Sequence, residues 1–188
     1  MKIIINFFIR GKISFFEMLM GQIWTVLIKL SGGECGKNLR VGRGVKFKYG
    51  PSEKIIFGDN VYIGDFVIID CNHDSKLYMG SNSYLSVGVF IASNKSISIG
   101  SSTLIAEYTS IRDHDHGTQL DIEVFKQENV SFPIHIGEDV WIGRGCVILK
   151  GVTIENKCII GANSVVNKNL YYGDVAVGSP AKKIKSRV

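Results

Sequence analysis

The 188 residues suffice for one ordinary domain with a continuous core. Hydrophobic residues make up 45% and charged residues 21%, a balance that excludes a disordered chain. The net charge of +5 is mild and no basic stripe is interleaved with aromatics, so nucleic acid is not an expected partner.

Residues 1–34 read as a helical segment. Ile3 to Ile9 is apolar but short, Arg10 and Lys12 cut it off, and no small-residue cleavage site follows. Neither a signal peptide nor a bilayer span is expected. Ser14-Phe15-Phe16-Glu17 fits a capping box. Phe16, Leu19, Met20, Ile23, Leu27 and Leu30 then recur at helical spacing until Gly32-Gly33 stops the helix. The helix is expected to pack on the main body or on a neighbouring chain; the alternative is peripheral contact of residues 1–30 with a membrane.

Residues 35–178 carry an aliphatic beat of period six. It runs Phe57, Ile63, Ile69, then Met79, Leu85, Ile91, then Ile99, Ile105, Ile111, and from Ile136 through Ile142, Ile148, Ile154 and Ile160 to Val166. Neither a helix nor a single strand has this period, so it marks an internal repeat. The place after the aliphatic is often glycine, as at Gly58, Gly64, Gly80, Gly100, Gly137, Gly143 and Gly161. A tight corner explains that choice, because glycine has no Cβ. The fifth place is small, as at Val61, Ser83, Thr103, Cys146, Cys158 and Ser164. Three hexads would close a triangular coil of about eighteen residues, and coils would stack through parallel ladders.

Cys35, Cys71, Cys146 and Cys158 form no CxxC pair and read as small core residues rather than zinc ligands. Nothing demands an oxidising compartment, so the cytoplasm, or the inner face of the membrane if the helix touches lipid, is the expected location.

The beat breaks at Asp113-His114-Asp115-His116, and residues 117–135 form a polar excursion before it resumes. Long loops on regular scaffolds are usually functional. Histidine suits proton transfer near neutral pH, and a neighbouring carboxylate would orient the ring. In an extended stretch His114 and His116 point to opposite sides, so one of them is expected to face a site. His73 and His135 stand alone, which leaves no three-ligand metal set.

The aliphatic-glycine hexads, the histidine with its loop, Val140-Trp141-Ile142-Gly143 and Gly178-Ser179-Pro180-Ala181-Lys182 together resemble the hexapeptide-repeat acyltransferases. The likeness covers Val41 to the C-terminus. The layout is closest to galactoside and maltose O-acetyltransferases, while Asp-His-Asp-His-Gly is more similar to polysaccharide O-acetyltransferases. The resemblance implies an all-β, left-handed parallel β-helix. It implies a homotrimer with active sites between subunits, and acetyl-coenzyme A in an intersubunit groove with no metal. The family's catalytic histidine ends a hexad, which counts to His116 from Ile111; His114 is the other candidate, and Asp113 or Asp115 the orienting acid.

On the donor side the same resemblance implies that Ala106 and Ala162 let the pantetheine arm pass and that Trp141 lines the groove. Arg144 stands where relatives carry a small residue beside the thioester. Asn167 and Lys168 match a Thr-Lys pair, and Lys182 and Lys185, in a basic tail over 179–188, match residues near the nucleotide phosphates. Ser86 and Asn94 stand where relatives hold a sugar with Asn and Asp, which implies a different acceptor. The implied reaction is acetyl transfer to a sugar hydroxyl of a surface glycan or its precursor. The alternatives are N-acetylation of a nucleotide-linked amino sugar, a xenobiotic acceptor, or a non-catalytic trimeric scaffold.

Overall fold

The computed structural model describes residues 2–187, with side chains from residue 15 onward. One helix, Lys2–Leu30, precedes a stack of short parallel strands. The strands form three sheets of six, eight and six strands, the three faces of a prism. Consecutive hexads fall on consecutive faces. Phe57, Ile63 and Ile69 lie on the first, second and third, and each pairs in parallel with its counterpart one coil on, Met79, Leu85 and Ile91. Every aliphatic of the beat from Phe57 to Val166 is buried, so period six maps onto one inward position per face.

Coil length is not constant at eighteen. Contacts between matching corners span 22 residues at Asp59 and Ser81, 20 at Ser93 and Asp113, and 18 at Glu138 and Asn156. Early coils carry extra residues between the third and first faces. One such corner is a turn stapled by Asn72, whose Oδ1 accepts from the Asp74 and Ser75 amides.

Second-place glycine is needed for a different reason from the one expected. The left-handed backbone falls two residues later, at Asn60 (φ 56), Asn82 (φ 59) and Ser102 (φ 58). Asparagine tolerates that region, and here the amides of Asn38, Asn60 and Asn82 also chain together at 3.0 and 3.1 Å. Glycine is required by stacking: a Cβ on Gly80 would lie 2.5 Å from the Ser101 amide nitrogen of the next coil. Fifth-place hydroxyls satisfy themselves on the same backbone. Thr103 Oγ1 donates to the Gly137 carbonyl at 2.8 Å, and Thr109 Oγ1 to that of Gly143 at 3.0 Å. All four cysteines are free and buried, and burial pushes the Cys71 thiol up to about 12.

The helix starts well before the expected capping box, so Ser14 lies in its interior. No proline interrupts residues 2–30, and the isolated Gly11 costs too little to break it. It lies across the first coils. Ile28 is buried, Trp24 stands 4.4 Å from the Phe47 ring, and a Cβ on Gly21 would overlap the Leu39 carbonyl. Tyr62 Oη donates to Glu17 Oε1 at 3.1 Å. Phe15, Ile23, Val26 and Leu30 stay exposed. Among the described residues no helix is long and apolar enough to cross a membrane.

The basic C-terminus is a strand. Lys182–Ser186 pairs antiparallel with Asp174–Val177 and ends the second sheet. Lys183 Nζ lies 2.7 Å from Asp174 Oδ1. Burial alone raises the Asp174 carboxyl, but the Lys183 ammonium and the Tyr171 amide outweigh it and hold it below its ordinary value. The excursion is also partly regular: His114–His116 pairs antiparallel with Asn129–Ser131, and Gln127 knits the loop through Gln119 and Ile122.

Candidate active site

The site grows from the corner where the third face ends. Strand Ser110–Arg112 is the last regular segment before the chain leaves the prism, and Asp113 next to it is fully buried. Its Oδ2 accepts from Ser93 Oγ at 2.7 Å and from the Lys95 and Ser96 amides at 2.8 Å each. Its Oδ1 accepts from the Asn94 amide at 2.8 Å. A buried carboxylate is tolerated when donors surround it like this.

The same Oδ1 lies 3.1 Å from His114 Nδ1. A carboxylate only accepts, so Nδ1 carries the hydrogen and Nε2 keeps the lone pair. The His114 side chain is 13% exposed. Its Nε2 stands 3.4 Å from Arg112 Nη1, a long and weak contact, and the Arg112 guanidinium lies over the Phe90 ring at 5.4 Å. This is an imidazole oriented through Nδ1 by a buried carboxylate, with its other nitrogen beside a guanidinium.

His116 is placed differently. The six-residue count that favours it assumes the chain stays on the coil, but the coil ends at Asp113. Beyond it, Asp115 pairs with Val130 and His116 with Asn129 in the antiparallel ribbon. His116 is exposed, and Asp115 pairs with Lys150 of the following coil rather than with an imidazole. His73 and His135 are elsewhere, against Tyr49 and the Ser98 hydroxyl. Among the described residues no cluster of three His, Cys, Asp or Glu could hold a metal.

The expected acceptor residues are separated. Asn94 shares the His114 corner, where its Oδ1 accepts from Asn72 Nδ2 at 3.2 Å. Ser86 instead lines a shallow cavity of about 340 Å³ on the second face, with Tyr84, Leu104, Ile105, Ala106 and Trp141. Three expected residues, Ser86, Ala106 and Trp141, therefore meet there. Trp141 pairs with Ile159, Ile159 with Val175 and Val175 with Lys185, so one outward column runs from the indole to a lysine. Lys182 flanks it opposite Val177. Arg144 turns the next corner, ion-paired to Glu107 at 3.3 Å, with Ala162 one coil above. Asn167 and Lys168 follow the third-face strand Val165–Val166, so they share the His114 corner and not the Trp141 column. Sequence reading did not flag Arg112, Ser93 or Lys150, because none of them interrupts the beat.

The family described as bacterial transferase hexapeptide (six repeats) matches residues 133–168. An Escherichia coli protein named for O-acetyl transfer in lipopolysaccharide biosynthesis is 34% identical over 139 residues, 70% of this chain and 71% of that one. The chain belongs to the hexapeptide-repeat acetyltransferase family. A Mycobacterium tuberculosis family member named as an acetyltransferase is 33% identical over 78% of this chain; the match spans only 49% of that longer relative. Among solved structures, an N-acyltransferase from Bacillus cereus, in complex with dTDP and 3-hydroxybutyryl-CoA, matches with a TM-score of 0.72 at 25% identity, covering 85% of this chain and 86% of that one.

Proposed function

We propose that this chain transfers an acetyl group from acetyl-coenzyme A to a hydroxyl of a surface glycan or its precursor, with His114 as general base. The observation that carries the reading is the His114 imidazole hydrogen-bonded to the buried Asp113 carboxylate at the corner where the coil is broken. His114 Nε2 takes the acceptor proton as the hydroxyl oxygen bonds to the acetyl carbon. The carbon–sulfur bond then breaks and the proton passes to the departing thiolate. Asp113 stabilises the imidazolium formed in between and holds the ring in place. His116 is the second candidate base, without a carboxylate on its ring.

The second-face column suits the donor. Exposed Trp141 and Leu104 offer an apolar wall for the arm, and Lys182 and Lys185 offer charge to phosphates. Four rungs separate Leu104 from Lys185, or about 19 Å at the usual interstrand spacing. Within one chain the width of the third face separates this column from His114. A homotrimer that sets the His114 corner of one copy against the second face of the next brings base and donor together.

Incubation with acetyl-coenzyme A and a panel of glycans should release free thiol and add one acetyl mass to one of them. No turnover, together with no coenzyme A binding by calorimetry, leaves the scaffold reading. The likeness to an N-acyltransferase favours a second reading, transfer to an amino sugar on a nucleotide. Mild alkali distinguishes the two, since it strips an ester and leaves an amide.

A further inference from the structure

Three carboxylates belong to this side of the prism, Asp70 two rungs from Arg112 on the third face and Asp113 and Asp115 beside His114 in the chain, and each already has a cationic or imidazole partner. Asp70 is held by Lys48 at 2.9 Å, Asp115 by Lys150, and Asp113 by His114. Arg112 is left over. Among the described residues the half-buried lysines and arginines are Lys54, Arg112 and Lys150. Lys54 and Lys150 have carboxylate partners; Arg112 has none within 4.0 Å. Its neighbour across the ladder is Ala92, which has no polar side-chain atom to offer, and Asp70 lies one rung further. Leaving a partly desolvated guanidinium without a counter-charge is costly, and its planar fork matches a carboxylate or a phosphate.

The geometry points to Arg112 as the residue that selects an acceptor bearing an oxyanion, a uronate carboxylate or a sugar phosphate, next to the hydroxyl to be acetylated. The inference rests on His114 as base. Arg112 Nη1 is 3.4 Å from the nitrogen that must take the proton. When the acceptor's oxyanion engages the guanidinium, the long contact to Nε2 is given up and the lone pair is freed for the hydroxyl. Asn94 and Asn72, whose amides are linked at the same corner, supply neutral contacts for the sugar's other hydroxyls.

The test is calorimetric titration of the coenzyme A-saturated protein with galacturonate, galactose 6-phosphate and neutral methyl galactoside. At least one charged sugar should bind about tenfold or more tightly than the neutral one, as expected for a charge-assisted contact. Galacturonate against galactose 6-phosphate tells carboxylate from phosphate. Arg112→Gln should erase the preference and leave neutral-sugar affinity unchanged, and Arg112→Lys should restore part of it. His114→Ala should keep the binding preference while losing transfer. Transfer that survives His114→Ala defeats the base assignment alone. Equal affinity for charged and neutral sugars, or no binding of either, overturns the inference. So does an Arg112→Gln protein that sediments as dissociated subunits, which would assign the guanidinium to a subunit contact.

Discussion

Two successive corners of one coil meet opposite fates. At the corner after Ala106, the Tyr108 amide donates to the Val87 carbonyl below, and the Glu107 carbonyl accepts from Gly145 above. Thr109, inside the prism, binds the Gly143 carbonyl. These backbone and hydroxyl groups are used by the neighbouring coils. At the corner after Arg112 the coil above is withheld by the excursion over 117–135. The Asp113 side chain does what backbone does elsewhere, accepting the amides of Asn94, Lys95 and Ser96. Repetition makes a rigid stack; interruption leaves polar groups to be arranged by side chains, and only there can chemistry be placed.

The widest gap between the two corners should appear on removing the imidazole. His114→Ala should lower kcat/KM for acetyl transfer by roughly a hundredfold to ten-thousandfold, against less than about tenfold for His116→Ala. A larger loss with His116→Ala would return the role to the exposed ring. Next in size is the stacked side. Gly80→Ala puts a Cβ against the Ser101 amide and should destabilise the fold by about 1–3 kcal/mol in urea, with residual activity scaling with folded fraction. Asp113→Asn should show both effects, because an amide NH2 would face backbone donors. A lower melting temperature of about 1–3 kcal/mol equivalent and a loss of kcat beyond the unfolded fraction are expected.

Smaller effects belong to the second face. Trp141→Ala and Lys185→Ala should raise KM for acetyl-coenzyme A several-fold with little change in kcat, the lysine effect shrinking in high salt. The smallest concerns the last strand. The Asp174 carboxyl titrates below its ordinary value beside Lys183, so its contribution is complete above the unfolded value and is lost as pH falls through the folded one. Amide exchange at Val175 and Ala176 should therefore quicken below about pH 4, and Asp174→Asn should remove that dependence.

Much of this was legible in the residues. The Ile136-to-Val166 beat specified which side chain enters the core on each face, since a strand–corner unit of six allows one large inward group. The break at Asp113 marked where the chain leaves the prism, because the hexad has no place for a buried acid followed by a half-buried His114 and an exposed Asp115. Glycine at the second place was visible, but its cause was not: Gly80 is set by an atom of the next coil, a neighbour that period alone does not describe.

The sequence by itself determined the prism, its three inward columns and the point where the chain leaves them, because all of these follow from local spacing. Tertiary structure alone decided that His114 and not His116 meets a carboxylate, because the hexad phase is lost once the chain departs at Asp113. It also decided that Ser86 and Asn94 lie at different corners, and that Arg112 has no carboxylate within ion-pair distance among the described residues. Those facts depend on which residues of non-adjacent coils come into contact, and the charges of Lys48, Asp70, Asp115 and Lys150 pair across coils rather than along the chain.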